Sequence, residues 1–367
     1  MKALCPRESL LSACQLASAA ISTREVKPVL KNLKAVAVDD RCTLMATDLE
    51  LGIRLQVRGL QVQESGEALL PAARLIAILR EAQDEELTLE ADAKSCAVRG
   101  PYIEFEMPTE DPANFPDLPS FSEDQYHEVT AGVLRQMIRR TLFAVASESA
   151  RWATTGVFWE LDDKAVRLVA TDGRRLALAQ GPATTNGGAK GMTGVVPKTA
   201  MALLERNLQD DEAPVRIGLT PNEVLFRTEG NQAVIYSRLV EGRFPPYREA
   251  FPKKPTARVP LQVGSFSAAV RQAAVMTDEV SQRVAFHFTK KKLTLEAQGQ
   301  TTGRSKVELP LEYEGKNLDI NFNPRFLVDM LRILDPETDM TFELVDGNSP
   351  GMLKAGDDYS YLILPIT

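Results

Sequence analysis

The chain has 367 residues, is 44% hydrophobic and 25% charged, and carries a net charge of −7. That make-up fits an ordinary globular protein with ample length for several cores. No run of eighteen apolar residues and no basic, apolar leader is present, so the sequence reads as cytoplasmic. The acidic balance excludes a uniformly basic nucleic-acid-binding surface.

Taken in chain order, apolar residues at helical spacing predict a first helix over 7–21 and a second over 72–82. Between them runs Cys42-Thr-Leu-Met-Ala-Thr-Asp48-Leu-Glu-Leu-Gly-Ile-Arg-Leu. Cys5, Cys14, Cys42 and Cys96 lack CxxC spacing and read as reduced, buried or half-buried thiols. Alternation predicts a strand over Ile103-Glu-Phe-Glu-Met107, and Asn114-Phe-Pro-Asp-Leu-Pro119 follows. A third helix is predicted over 131–146 and a strand over Val157-Phe-Trp-Glu-Leu161. Val166-Arg-Leu-Val-Ala-Thr-Asp172-Gly-Arg-Arg-Leu-Ala-Leu then returns the first motif 124 residues on. A fourth helix is predicted over 198–208, a strand over Val224-Leu-Phe-Arg227, and Arg243-Phe-Pro-Pro-Tyr247 repeats the Phe-Pro pair after 129 residues. Helices over 264–276 and 323–334 and the strand Lys292-Leu-Thr-Leu-Glu-Ala-Gln298 form a fainter third copy, ending in Tyr361-Leu-Ile-Leu-Pro365. Two markers repeating at nearly one offset mean duplicated domains, each of about 120 residues. The boundaries read as 1–120, 121–250 and 251–367. Each repeat is mostly strand with two helices, an α+β pattern with turns at Asp162-Asp163, Asp172-Gly173, Asn186-Gly-Gly188 and Asp346-Gly347.

Charge is unevenly distributed. The six helical segments hold Arg7, Arg74, Arg80, Arg135, Arg139, Arg140, Lys198, Arg206, Arg271, Arg325 and Arg332 against Glu8, Glu81, Glu205 and Asp329. They carry +7, so the remainder carries −14. Arg135 with Arg139 and Arg325 with Arg332 share common faces, while Leu134, Ile138, Leu142, Phe326 and Met330 supply the apolar stripe. If all six basic faces point at one place, that place attracts phosphates without reading bases.

Catalytic chemistry finds little support. His127 and His287 stand apart from cysteines and carboxylate clusters and read as surface or strand residues. Gly347-Asn-Ser-Pro-Gly351 matches GxSxG, but Pro350 lacks the N–H an oxyanion hole needs, so it reads as a hairpin loop. Gly187-Gly-Ala-Lys-Gly191 lacks the ending of a phosphate loop and reads as a surface connection. Asp48 and Asp172 occupy the same place in a repeated turn, which points to turn capping rather than catalysis.

Together, Ala46-Thr-Asp-Leu-Glu50, Phe115-Pro-Asp-Leu118, Ala170-Thr-Asp-Gly-Arg-Arg-Leu-Ala177, Glu241-Gly-Arg-Phe-Pro-Pro-Tyr-Arg248 and Tyr361-Leu-Ile-Leu-Pro-Ile366 resemble the bacterial sliding clamp family, the beta subunit of DNA polymerase III holoenzyme. The resemblance spans the chain in order. It implies three clamp domains per protomer, outer antiparallel sheets, and a head-to-tail dimeric ring whose helices line a central hole. It implies no enzyme, cofactor or metal: the ring encircles duplex DNA and tethers the replicative polymerase, with no membrane partner. Arg24 matches the family's DNA-touching loop arginine, and Arg80, Arg135, Arg139, Lys198 and Arg206 are further candidates.

The resemblance also implies a pocket for short peptide segments of polymerases, the clamp loader and repair proteins, lined by Thr171, Gly173, Arg174, Arg175, Leu176, Pro245, Arg248, Leu362, Leu364, Pro365 and Ile366. Thr155 stands for an apolar wall residue, Ala250 for a larger aliphatic and Arg174 for a histidine, so peptide preference is expected to differ. Ring closure is expected to pair edge strands of the first and third domains. Glu104, Phe105, Glu106 and Met107 stand on one side and Val275, Met276, Arg304 and Lys306 on the other. The opposite charges of that seam are read from this sequence and not from the family. A specialised clamp paralogue serving repair or translesion polymerases remains open as the alternative. A trimeric-ring relative has two domains per chain where this one shows three, and a monomeric α+β enzyme lacks a visible acid cluster.

Overall fold

Three times along the chain the same run recurs: a strand, a helix, further strands, a second helix and three closing strands. The computed structural model describes residues 1–21, 27–92, 94–148, 153–188, 191–230, 232–252, 254–278, 282–299, 301–313 and 315–366. The first run is β1 (Lys2–Pro6), α1 (Arg7–Ser18), β2 (Asn32–Val38), β3 (Arg41–Thr47), β4 (Leu51–Val57), β5 (Gln61–Glu64), β6 (Gly66–Pro71), α2 (Ala72–Glu81), β7 (Glu86–Ala91), β8 (Ser95–Arg99) and β9 (Glu104–Pro108). The second is β10 (Tyr126–Thr130), α3 (Ala131–Leu142), β11 (Gly156–Leu161), β12 (Ala165–Thr171), β13 (Arg175–Pro182), β14 (Thr184–Asn186), β15 (Met192–Pro197), α4 (Lys198–Asn207), β16 (Pro214–Leu219), β17 (Glu223–Thr228) and β18 (Ala233–Arg238). The third is β19 (Ala257–Gln262), α5 (Val263–Ala274), β20 (Val284–Thr289), β21 (Lys292–Gly299), β22 (Gly303–Pro310), β23 (Leu318–Phe322), α6 (Pro324–Leu331), β24 (Asp339–Leu344), β25 (Gly351–Ala355) and β26 (Tyr359–Ile363).

Proline sets several helix starts. Pro6, Pro71 and Pro197 are the N-caps of α1, α2 and α4, and Pro324 opens α6, where a missing N–H costs nothing and the fixed φ suits the first turn. Asn323 also caps α6 through its side chain, which accepts the Arg325 N–H at 3.0 Å. Several helices stop short of the extent read from sequence: α1 at Ser18, α3 at Leu142, α5 at Ala274 and α6 at Leu331. The physical reason is visible beyond their ends, where Ala20, Ala144, Val145, Ala146 and Leu334 stay buried although the helix is over. Apolar spacing reports burial, and burial outlasts the helix.

By compactness the described chain divides into two units, residues 1–135 with 183–239, and 136–182 with 240–367. In the first, one sheet is ordered β5-β1-β7-β8-β9 and the other β14-β10-β16-β17-β18-β4-β3-β2-β6. The junction of the first and second runs is therefore a strand pair, β4 with β18, which sets Ile53 opposite Ile235. The second unit repeats the device. Its strands follow β11-β12-β13-β26-β25-β24-β19, with β13 on β26 and Leu176 opposite Leu362, beside the sheet β22-β21-β20-β23. Phe266, Phe286, Phe322 and Phe342 fill the core behind that second sheet, their side chains fully buried. Each such side chain is worth about 2–3 kcal/mol of apolar burial.

The four cysteines are buried and unbonded. Burial, aided for Cys5 by nearby Cys42, pushes the thiols of Cys5, Cys42 and Cys96 up to about 12, and burial raises Cys14 further. They are neutral packing groups. Of the histidines, His127 is a buried strand residue of β10, while His287 on β20 lies near the surface with Nδ1 2.7 Å from an Asp319 oxygen.

Candidate functional site

The turn between β12 and β13 is built by two short side chains. The Thr171 hydroxyl donates to the Arg175 carbonyl at 2.6 Å and accepts the Gly173 N–H at 3.1 Å. Asp172 Oδ1 accepts the N–H groups of Arg174 and Arg175 at 3.0 and 3.1 Å. Asp172 thus caps a turn, as its repeated position implied, and Gly173 supplies the left-handed residue at φ +85°. Leu364 N–H, just past β26, donates to the Arg174 carbonyl at 2.9 Å and fastens the C-terminal segment beside the turn.

These pieces border a cavity of about 390 Å³. Eight of the expected residues line it: Thr171, Gly173, Arg174, Arg175, Leu176, Pro245, Leu362 and Leu364. Leu176 and Leu362 belong to the apolar cluster beneath, with Val169, Tyr247 and Met352. Phe158 and Phe244 pack against that cluster and stack on each other at 4.8 Å. Leu364 forms an apolar rim, 43% exposed. A hydrophobic floor with polar groups at its edge suits an extended peptide carrying apolar anchors.

Arg248, Pro365 and Ile366 lie off the cavity wall. Arg248 donates to Glu160 at 2.8 Å and lies over the Tyr247 ring, and Ile366 N–H donates to the Asn321 carbonyl at 2.9 Å. The wall threonine is Thr154, which is buried, rather than its half-buried neighbour Thr155. Glu148, Asp172, Pro246, Tyr247 and Pro350 also line the cavity. Tyr247 and Pro246 adjoin the repeated Phe-Pro pair and were legible by that route; Glu148 and Pro350 carry no local signal.

Arg175 is a lining residue of another kind. Its guanidinium donates to Asp172 (2.9 Å), Asp329 (2.7 Å) and the Phe143 carbonyl (3.1 Å), and it lies 4.6 Å from the Phe326 ring centroid. Burial pulls its pKa down, yet the Asp329 hydrogen bond and nearby charges win, and the net shift is upward. It fixes the turn to α3 and α6.

The helices bury their apolar faces and expose most of their cations, although Arg7 donates to the Leu79 carbonyl at 3.0 Å and Arg140 pairs with Asp358 at 2.7 Å. In α2, Leu75 and Leu79 are buried while Arg74 and Arg80 are exposed; in α4, Met201, Leu203 and Leu204 are buried while Lys198 and Arg206 are exposed. Arg139, Arg271 and Arg325 are exposed in the same way. Arg135 differs: it donates to the Leu208 carbonyl at 3.0 Å and pairs with Asp211, tying α3 to the segment after α4. Arg24 lies outside the described residues.

The two expected seam strands are sheet edges, β9 in the first unit and β22 in the second. Met107 is buried, whereas Phe105 on the same face of this edge strand is 41% exposed. Glu104 pairs with Arg99 at 2.7 Å, and Glu106 is exposed. On the second unit Val275 is exposed, Met276 is half-buried, and Arg304 and Lys306 are exposed near Glu296. Gly347–Gly351 joins β24 to β25 as a hairpin loop, with Asp346 Oδ1 accepting the N–H groups of Asn348 and Ser349. Among the described residues no group of three His, Cys, Asp or Glu is placed to hold a metal, and no helix is long and apolar enough to cross a membrane.

Comparison with known proteins covers the chain end to end. The family model of the DNA polymerase III beta subunit matches as its N-terminal domain over residues 1–119, central domain over 128–246 and C-terminal domain over 248–367. The chain is 27% identical to the beta sliding clamp of Salmonella typhimurium, each covered in full. It is 26% identical to the DNA polymerase III subunit beta of Pseudomonas aeruginosa solved with griselimycin, with TM-score 0.92 over 100% of this chain and 99% of that one. The DNA polymerase sliding clamp of Bacillus subtilis shares the fold at TM-score 0.93, with 23% identity over 100% of this chain and 99% of that one.

Proposed function

We infer the work of this molecule from its family, for the chain belongs to the DNA polymerase III beta subunits, the bacterial sliding clamps. It is a processivity factor and not an enzyme: two protomers close head to tail into a ring that encircles duplex DNA and tethers the replicative polymerase and other partners. The in-order match of all three domains over the whole chain carries this reading. Its place of work is the cytoplasm, where a bacterial chromosome is copied.

The physics of each task falls on residues already described. Exposed Arg80, Arg139, Lys198 and Arg206 supply mobile attraction to phosphates, while the acidic remainder of the chain repels DNA elsewhere. Attraction to phosphate oxygens carries no sequence information and is screened by salt, so it holds the duplex without fixing the ring at one site. Arg24 is assigned to the same task. Arg135, held by Leu208 and Asp211, serves the helix end first and the duplex second.

The cavity beside the β12–β13 turn docks partner peptides. Leu364→Glu puts a charge on its apolar rim without touching the core. The expected result is about 100-fold weaker binding of a partner peptide, the scale of an interface hot spot, with an unchanged melting temperature. Isothermal titration reads the first and calorimetry the second; unaltered affinity rejects the rim assignment.

The domain boundaries, near residues 120 and 250, and the seam are our assignments. We place β9 against the partner's copy of β22, with Phe105 and Val275 in the apolar contact and the charges of Glu104 and Glu106 facing those of Arg304 and Lys306. Glu104→Lys with Glu106→Lys is expected to weaken the dimer at least tenfold, and Arg304→Glu with Lys306→Glu to restore it. Sedimentation velocity over a dilution series reads both, and absence of rescue rejects the pairing. A wild-type protein that stays monomeric at micromolar concentration overturns the ring itself.

A further inference from the structure

The turn that builds the docking cavity has a twin in the first unit. There the Thr47 hydroxyl donates to the Leu51 carbonyl at 2.7 Å and accepts the Leu49 N–H at 2.9 Å. Asp48 Oδ1 accepts the Glu50 and Leu51 N–H groups at 3.0 and 2.8 Å. These are the bonds of Thr171 and Asp172, atom for atom. The neighbouring strand corresponds too: Arg238 N–H donates to the Glu50 carbonyl at 2.8 Å, as Leu364 N–H does to the Arg174 carbonyl at 2.9 Å. Gly52 faces Tyr236 where Leu176 faces Leu362. The repeated Phe-Pro pair completes the match and sets Leu118 in the place of Tyr247.

The contents of the two places differ. Leu176 provides the floor of the docking cavity, whereas Gly52 has no side chain to offer. Leu118 descends into the gap, its Cδ2 2.7 Å from where a Gly52 Cβ would stand. The Arg54 guanidinium holds the Leu118 carbonyl at 3.3 Å. At the rim, Glu50 and Arg238 replace Arg174 and Leu364 and pair with each other at 3.4 Å. Where the second turn has Gly173, the first has Leu49 at φ +81°, with its side chain 46% exposed. A left-handed leucine is strained and its apolar side chain gains nothing from water, so simple chain reversal does not account for it.

We propose that this first-unit turn is a second docking groove for extended peptides with a leucine anchor, occupied in cis by the chain's own Leu118, whose carbonyl is held by the Arg54 guanidinium. The proposal rests on the peptide-docking reading of the turn at Thr171. Leu118 is then a competitor: a peptide reaches this groove only in the fraction of molecules whose connector has let go, and its apparent affinity falls by that fraction. Leu49 offers such a peptide an apolar rim, as Leu364 does at the second turn.

The test uses the full chain and, as probe, a fluorescein-labelled peptide of its own residues 114–119. Leu364→Glu is present throughout to silence the known cavity. Adding Leu118→Ala is expected to tighten probe binding at least tenfold, to one site per protomer, and adding Gly52→Val as well, which refills the gap, to remove the gain. Arg54→Gln removes the bond to the Leu118 carbonyl and is expected to act in the same direction if Leu118→Ala unfolds. A folded Leu118→Ala protein that binds the probe no better than its parent, or a gain that survives Gly52→Val, overturns the proposal. Dimerisation by sedimentation and wild-type docking at the Thr171 turn report separately on the clamp reading.

Discussion

Replacing Arg80, Arg139, Lys198 and Arg206 together by glutamate is expected to lower the affinity of the ring for a short, open-ended duplex by about 1,000-fold or more at moderate salt. Each reversal removes an attraction and adds a repulsion, about 1 kcal/mol apiece through water at contact distance, so four reversals outweigh the 4 kcal/mol that a thousandfold requires. The four side chains are exposed on helices whose buried faces are elsewhere, so the fold is expected to survive. The salt dependence is a sharper readout than affinity. Removing one cation–phosphate interaction flattens the slope of log affinity against log salt by about 0.9. Fluorescence anisotropy at several salt concentrations measures both, and an unchanged slope rejects these residues as the DNA-facing set. On closed circular DNA the same variant, once loaded, is expected to remain bound, because topology rather than charge retains it there.

Arg175→Ala is expected to cost about 3 kcal/mol of stability, a fall of roughly 6–12 °C in the melting temperature of a domain this size. Asp172, Asp329 and the Phe143 carbonyl lose a shared donor, and the Phe326 ring loses its cation. The estimate stays at the low end for a buried pair because Asp172 and Asp329 are themselves partly hydrated, 21% and 31% exposed. Arg175→Lys keeps the charge but not the planar fork, and is expected to recover little. Differential scanning calorimetry decides: a shift below 2 °C means the network is decorative. The same variant is expected to weaken peptide docking, since the turn bearing Gly173 and Arg174 is fixed through this guanidinium.

The contrast between Arg175 and Arg206 shows how far a sequence carries. Both stand among short-range patterns that read correctly, one in a repeated turn and one on a helix face. Only the folded chain reveals that Arg175 is spent on Asp172 and Asp329 while Arg206 is exposed. Arg135, on the same helix as Arg139, is likewise engaged with Asp211, a residue 76 positions away. Phe105 and Met107 alternate correctly along β9, but only the sheet order made that strand an edge, on which Phe105 is exposed.

The sequence alone determined the three repeats, the six helices and the charge carried on them, and the capping roles of Asp48 and Asp172. These depend on spacing within a few residues, or on two copies of one motif, and such signals survive without tertiary context. Tertiary structure alone decided what gathers around each turn. Pairing of β13 with β26 brings Leu362 and Leu364 to Thr171, and pairing of β4 with β18 brings Arg238 to Glu50. Those partners lie more than 180 residues apart in sequence, and no local pattern encodes the closure of so long a loop. Two turns with identical hydrogen bonds thus became an open cavity in one unit and, through Gly52 and Leu118, a filled one in the other.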